Sequence, residues 1–140
     1  MNIHKNTLNF TLNKKKVSSI ENLSVRLSEF LRESQNIKGT KVGCNAGDCG
    51  SCTILVNEEP ICSCLMTAAK AQNTTIKTIE GLSTNGANDL QKSFLKHGAA
   101  QCGICTPGLL ITATATTYFY SSVFIWDAQG LQYSCTGPAI

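Results

Sequence analysis

Hydrophobic and polar residues alternate along the first strand-like stretch, with Leu8, Phe10 and Leu12 on one side and Thr7, Asn9, Thr11 and Asn13 on the other. A two-residue period of this kind predicts a half-buried β-strand. Residues 14–16, all lysine, turn it, and Val17 opens a return strand. Leu23, Leu27, Phe30 and Leu31 then recur at helical spacing, predicting an amphipathic helix over residues 22–33 with Arg26, Glu29, Arg32 and Glu33 outward. Gly39 lies past its end. Residues 53–56 and 61–65 read as short strands around a turn at 57–60, and residues 75–79 as a third. Residues 81–88 are polar and glycine-bearing, the composition of a linker. Beyond them Asp89 caps a helix carrying Leu90, Phe94 and Leu95, and Gly98 ends it. With Thr106 as N-cap and Pro107 at the first helical position, a last helix runs to about Tyr120. Strands around one helix, then helices alone, describe an α+β chain.

Composition narrows what such a chain does. A length of 140 residues suits one ordinary domain or two small ones, and small halves lean on a metal or a partner. A net charge of +3 is too mild to argue for nucleic acid. Residues 1–16 contain no apolar signal-peptide core. Eight cysteines without an export signal point to metal binding in a reducing compartment, which places the chain in the cytoplasm. No acidic or basic residue falls between His97 and Asp127, a stretch longer than the ~20 residues of a spanning helix. Its threonines and serines, and Pro107-Gly108, speak against a membrane span and for a helix buried against protein.

The chemistry concentrates in Gly43-Cys44-Asn45-Ala46-Gly47-Asp48-Cys49-Gly50-Ser51-Cys52, three cysteines and three glycines within ten residues. Its C-x4-C-x2-C spacing is that of a plant-type iron–sulfur loop. Thiolates are soft ligands that suit such clusters, and glycines let the backbone curl so that N–H groups turn toward the sulfurs. Cys64 is available as the fourth ligand. The alternatives are a zinc site, which usually pairs two C-x2-C knuckles, or a disulfide knot. Cys62, two residues before Cys64, is a spare thiol and reads as a small buried apolar residue. A second group is Gln101-Cys102-Gly103-Ile104-Cys105-Thr106-Pro107-Gly108, where the helix dipole favours a thiolate at Cys105. His97 sits at a helix C-terminus, where a histidine interacts with the dipole.

Together with Leu27 to Glu33, Gly39-Thr40-Lys41, Ser63-Cys64-Leu65 and Thr78-Ile79-Glu80-Gly81-Leu82, these motifs resemble the small iron–sulfur subunit of the molybdenum hydroxylases. That group includes xanthine dehydrogenase, aldehyde oxidoreductase and carbon monoxide dehydrogenase. The resemblance covers about residues 3 to 117. It implies an N-terminal β-grasp ferredoxin-like domain over residues 1–80, a linker over 81–88, and a small all-helical 2Fe-2S-binding domain over 89–140. It assigns the first 2Fe-2S cluster to Cys44, Cys49, Cys52 and Cys64. It assigns Cys102, Cys105 and Cys135 to a second, and puts Gln101 against the pterin of the molybdenum cofactor. Electrons are then expected to pass from molybdenum through both clusters to FAD. Molybdenum cofactor and FAD would lie on a large subunit and a flavin subunit of one complex, and no catalytic residue is expected on this chain.

The chain departs from the family at its end. The later C-x-C of the second site is replaced around Gly130-Leu131-Gln132-Tyr133-Ser134-Cys135-Thr136-Gly137-Pro138, with Tyr133 where the third ligand belongs. The chain also stops at Ile140 without the usual last helix. The second site is therefore expected to be incomplete. That leaves two rivals to the full relay, a single-cluster ferredoxin-like carrier and a non-redox docking subunit.

Overall fold

Asn13 and Lys14 both lie at positive φ (48° and 70°), as do Asn57 and Glu58 (51° and 67°). Paired positive φ is the signature of the two-residue hairpin turn whose twist matches its strands. Each turn joins two antiparallel strands: β1 (Leu8–Leu12) to β2 (Lys15–Ser19), and β3 (Thr53–Val56) to β4 (Glu59–Cys62). The first turn thus falls at Asn13-Lys14, with Lys15 and Lys16 already in β2, because asparagine tolerates the left-handed region better than lysine. For the same reason the second turn needs two residues where four were expected. This is a computed structural model of the chain, and it describes residues 7–20, 23–83 and 86–119, with 117–119 described by their backbone.

A fifth strand, β5 (Thr75–Lys77), runs parallel to β1 and antiparallel to β3, giving the sheet order β2-β1-β5-β3-β4. Leu8, Phe10 and Leu12 of β1 face the core as their alternation predicted. They meet Ile54, Val56 and Ile76 from neighbouring strands and Leu27, Phe30 and Leu31 from the helical segment. The Phe10 and Phe30 rings pack edge to face, 6.0 Å between centres.

The amphipathic helix is shorter than its periodicity suggested. α1 spans Leu27–Glu29 and widens into a π turn over Phe30–Ser34, where Gln35 N–H donates to the Phe30 carbonyl at 3.1 Å. Residues 23–26 are drawn off by pairing with 66–69. Ala68 and Ala69 donate to the carbonyls of Val25 and Leu23, and Leu27 donates to that of Met66. Backbone groups satisfied across the chain have no need of helix. Residues 21–22 lie outside the described residues.

The strand expected over 61–65 ends at Cys62. Ser63 donates from both its N–H and its hydroxyl to the Cys52 carbonyl (3.3 and 2.7 Å), and residues 63–65 form a 3-10 turn. The strand expected over 75–79 stops at Lys77, because the Thr78 N–H goes to the Asn13 side chain at 2.9 Å. α2 (Ile79–Leu82) follows and occupies the start of the expected linker.

α3 (Asp89–Lys96) is capped by Asn88, one residue earlier than expected. Asn88 and Gln91 exchange side chain-to-backbone bonds of 2.8 Å each, a capping box. Gly98, at φ 58°, follows its end as predicted. α4 (Thr106–Phe119) already includes Thr106, so the cap position falls to Cys105, whose carbonyl accepts from Leu109 N–H at 3.0 Å. The helix lies against the sheet's other face: Leu55 of β3 packs on Ile111 and Ala115, with Leu82 alongside. Thr112 and Thr114 return their hydroxyls to the carbonyls four residues back (2.9 and 2.7 Å), which satisfies these groups within an uncharged helix. No described helix is long and apolar enough to cross a membrane.

Candidate metal centre

The loop from Gly43 to Cys52 is irregular backbone shaped by left-handed residues. Asn45, Gly47 and Gly50 have φ of 57°, 89° and 68°. Gly47 also has Leu65 across from it, close enough that a Cβ there would meet the leucine side chain. The curl aims N–H groups at sulfur. Ala46 and Cys49 N–H each donate to Cys44 Sγ at 3.4 Å, and Cys44 N–H donates to Cys49 Sγ at 3.3 Å. Hydrogen bonds to thiolate sulfur help set a cluster's potential.

The sulfurs form pairs. Cys44 and Cys49 face one another across these N–H bonds, while Cys52 and Cys64 are buried neighbours, Cys52 raising the Cys64 pKa. The Cys52 pair is deeply buried and Cys44 is exposed. Ser51, whose hydroxyl lies 3.1 Å from Cys49 Sγ, holds the Cys49 thiol down at a pKa of about 6, with further help from Cys44. Burial pushes the Cys64 thiol up to about 12, reinforced by Cys52. None of the seven described cysteines is in a disulfide. Among the described residues, no three His, Cys, Asp or Glu side chains converge on a point that would hold one ion. Two pairs of soft donors with N–H groups aimed at them fit a two-iron cluster better than a lone zinc.

The sequence motifs that carry no thiol hold this loop in place. Glu80 Oε1 accepts from Gly39 N–H at 2.7 Å, and its Oε2 accepts from the Thr78 hydroxyl at 2.6 Å. Thr78, fully buried, is in turn clasped by Asn13. So the Gly39-Thr40-Lys41 and Thr78–Leu82 stretches meet, and they tether the approach to the cysteine loop. Arg32 donates to the Lys38 and Thr40 carbonyls (3.1 and 2.8 Å), and Arg26 donates to that of Asn45. Gly50 accepts from both Thr53 N–H and its hydroxyl (3.0 and 2.6 Å).

Gly108 in the first turn of α4 is the contact between the two cysteine regions. A Cβ there would strike the Gly50 carbonyl and stand 3.1 Å from Ser51 Cα. Only a residue without a side chain lets the helix end rest on this backbone. Composition alone could not reveal that role. A glycine at the third position of a helix, beside a cysteine pair, was the available signal.

Of the second set, Gln101 and Cys102 are exposed and Cys105 is half-buried at the start of α4. The Thr106 hydroxyl next to it is buried without a hydrogen-bond partner. Cys135 and Tyr133 lie outside the described residues. His97 is the C-cap residue of α3, as expected from its position. Cys62 departs from the reading of a buried apolar filler. It is half-buried, with Sγ 3.7 Å from the Gly47 carbonyl and 4.0 Å from the Thr53 hydroxyl.

Comparison with known proteins accounts for both halves. A 2Fe-2S iron-sulfur cluster binding domain model matches residues 10–78, and a second 2Fe-2S binding domain model matches residues 78–119. The chain is 41% identical over 114 residues to the nicotinate dehydrogenase small FeS subunit of Eubacterium barkeri, covering 81% of this chain and 73% of that one. It is 48% identical over 90 residues to the xanthine dehydrogenase iron-sulfur-binding subunit of Escherichia coli O157:H7, covering 64% of this chain and 56% of that one. Of three further curated relatives it spans 52–54% of the length. The crystal structure of quinoline 2-oxidoreductase from Pseudomonas putida 86 superposes with a TM-score of 0.77 at 36% identity, over 90% of this chain and 85% of that one. With its five-stranded sheet followed by helices, its two 2Fe-2S domain matches and these relatives, the chain belongs to the small iron–sulfur, electron-transfer subunits of the molybdenum hydroxylase family.

Proposed function

We propose that Cys44, Cys49, Cys52 and Cys64 hold one 2Fe-2S cluster, and that this cluster is the exit stage of an electron relay. The observation that carries this reading is the arrangement of the thiols in two pairs, with backbone N–H groups donating to Cys44 and Cys49. When bound, the cluster supplies one-electron chemistry. The chain supplies the ligands, the hydrogen bonds and the burial that tune it. Cys44 and Cys49 form the solvent-facing edge of the site and Cys52 and Cys64 the inner one. Electrons arrive from the side of α4, where Gly108 touches the Gly50-Ser51 backbone between two ligands, and leave at the Cys44 edge toward FAD.

In this reading the unit over residues 89–140 faces a large subunit bearing the molybdenum cofactor, with Gln101 against the pterin. The complex works in the cytoplasm on an aromatic heterocycle or an aldehyde. Cys102, Cys105 and Cys135 form the second site. Tyr133 in the third-ligand position favours its being incomplete, which makes a single-cluster carrier the second reading.

The test is iron and acid-labile sulfide per chain on anaerobically purified protein, with electron paramagnetic resonance of the reduced form. The wild type is expected to hold one cluster's worth of each and to give one signal. Y133C is expected to gain a second signal. A wild type without iron overturns the reading, and two wild-type signals overturn the incompleteness of the second site.

A further inference from the structure

The four assigned ligands of the first site leave a fifth sulfur within it. Cys62 ends β4, and its Sγ sits 3.7 Å from the Gly47 carbonyl inside the cysteine loop. Cys64, two residues on, interacts with the same Gly47 backbone. Both thiols also have Cys52 as a neighbour, whose side chain raises the pKa of each. Cys52 therefore has two neighbours able to complete its pair.

A cysteine that merely fills an apolar gap is surrounded by carbon. Around Cys62 the groups that matter are a carbonyl, the Thr53 hydroxyl and the thiols of the site. Its backbone is fixed opposite Thr53 in the β3–β4 ladder, so its side chain alone has to turn. Cys64 lies in the 3-10 turn beyond the ladder, which ends at an exposed Leu65.

We propose that Cys62 is an alternate ligand of the first cluster, able to replace Cys64 as the partner of Cys52. The proposal rests on the cluster reading above. The exchange is balanced without any oxidant or reductant. Cys62 releases its thiol proton to solvent and forms the iron–sulfur bond. Cys64, when present, gives up that bond and takes a proton back. One thiolate replaces another, so the charge of the site and its oxidation state stay the same. The consequence is a site that tolerates oxidation or alkylation of one inner ligand.

The test compares full chains purified anaerobically: wild type, C62A, C64A and C62A/C64A. Readouts are iron and sulfide content, the electron paramagnetic resonance signal of the reduced form, and the thiols blocked by iodoacetamide in the loaded protein, located by mass spectrometry. C62A is expected to match wild type in iron and signal. C64A is expected to keep the first site's iron, with a shifted signal and with Cys62 protected from alkylation. The double variant is expected to lose that iron. If C64A is as empty as the double variant while wild type is loaded, the exchange is overturned and the cluster reading survives. A wild type without iron overturns both. Should C64A fail to fold, C64V and C62A/C64V, which supply no donor atom at 64, serve in its place, and equal iron in those two overturns the exchange.

Discussion

The two cysteine regions of this chain contrast in how they are assembled. In the first, three of the four assigned ligands lie within one loop, Cys44 to Cys52. The fourth, Cys64, is brought in by a hairpin only two strands long. Every ligand lies among the described residues, the inner sulfurs are buried, and N–H groups already point at the outer ones. In the second, Cys102 and Cys105 stand just before the start of α4 with the glutamine before them exposed, and the remaining assigned ligand is thirty residues further on. A site built from one loop and the hairpin that follows it is formed as soon as those two neighbours fold. A site built from separated segments waits for those segments to pack, and in the reading proposed above Tyr133 in the later one leaves it short of a donor.

The largest effect on this contrast should come from separating the regions. G108V places a branched side chain where the Gly50 carbonyl now lies, an overpacking that costs about 1–3 kcal/mol. Because the obstacle is backbone, α4 is expected to lift from the sheet. The first cluster's iron should persist while proteolysis between α3 and α4 accelerates and the melting temperature falls. Equal loss of iron and of α4 protection would mean that the first region depends on the second after all.

A smaller effect is expected at the tether. E80A removes the acceptor of Gly39 N–H and of the Thr78 hydroxyl, worth about 1 kcal/mol for a charged but solvent-exposed acceptor. It should hasten iron loss to a chelator, with E80Q, which keeps one acceptor oxygen, intermediate. Identical rates in all three proteins would remove Glu80 from the support of the loop.

The smallest change is in protonation. In the iron-free chain Cys49 is lowered from 9.0 to about 6. A lowered pKa means that the folded state favours the thiolate. The associated stabilisation is complete above 9.0 and is lost as pH falls through about 6. Between those values Cys49 should be the thiol most readily alkylated, with its rate half-developed near pH 6. Cys64, raised to about 12, should lag throughout. Equal rates at neutral pH would show that the loop does not organise before iron arrives.

Much of this was legible in the residues. The alternation in β1 placed Leu8, Phe10 and Leu12 in the core, and the C-x4-C-x2-C spacing marked the site. The two larger misplacements share one cause. The helix expected from residue 22 begins at Leu27 because residues 66–69 claim the backbone before it. The strand expected to reach Leu65 ends at Cys62 because Ser63 turns to the Cys52 carbonyl. The N-cap expected at Thr106 falls one residue earlier. In the first two cases a partner distant in sequence competed with a local preference, and periodicity carries no information about such partners; the cap shift is a local difference of one residue.

The sequence by itself determined the donor set, the left-handed positions that curl the loop, and the apolar faces that build the sheet, because these depend on residue type and near-neighbour spacing. Only the tertiary structure decided which thiols pair, that Glu80 secures Gly39, that Gly108 rests on Gly50, and that Cys62 stands beside Cys52. Those contacts join residues separated by five to sixty positions. They follow from how the sheet and helices pack, which no local pattern encodes.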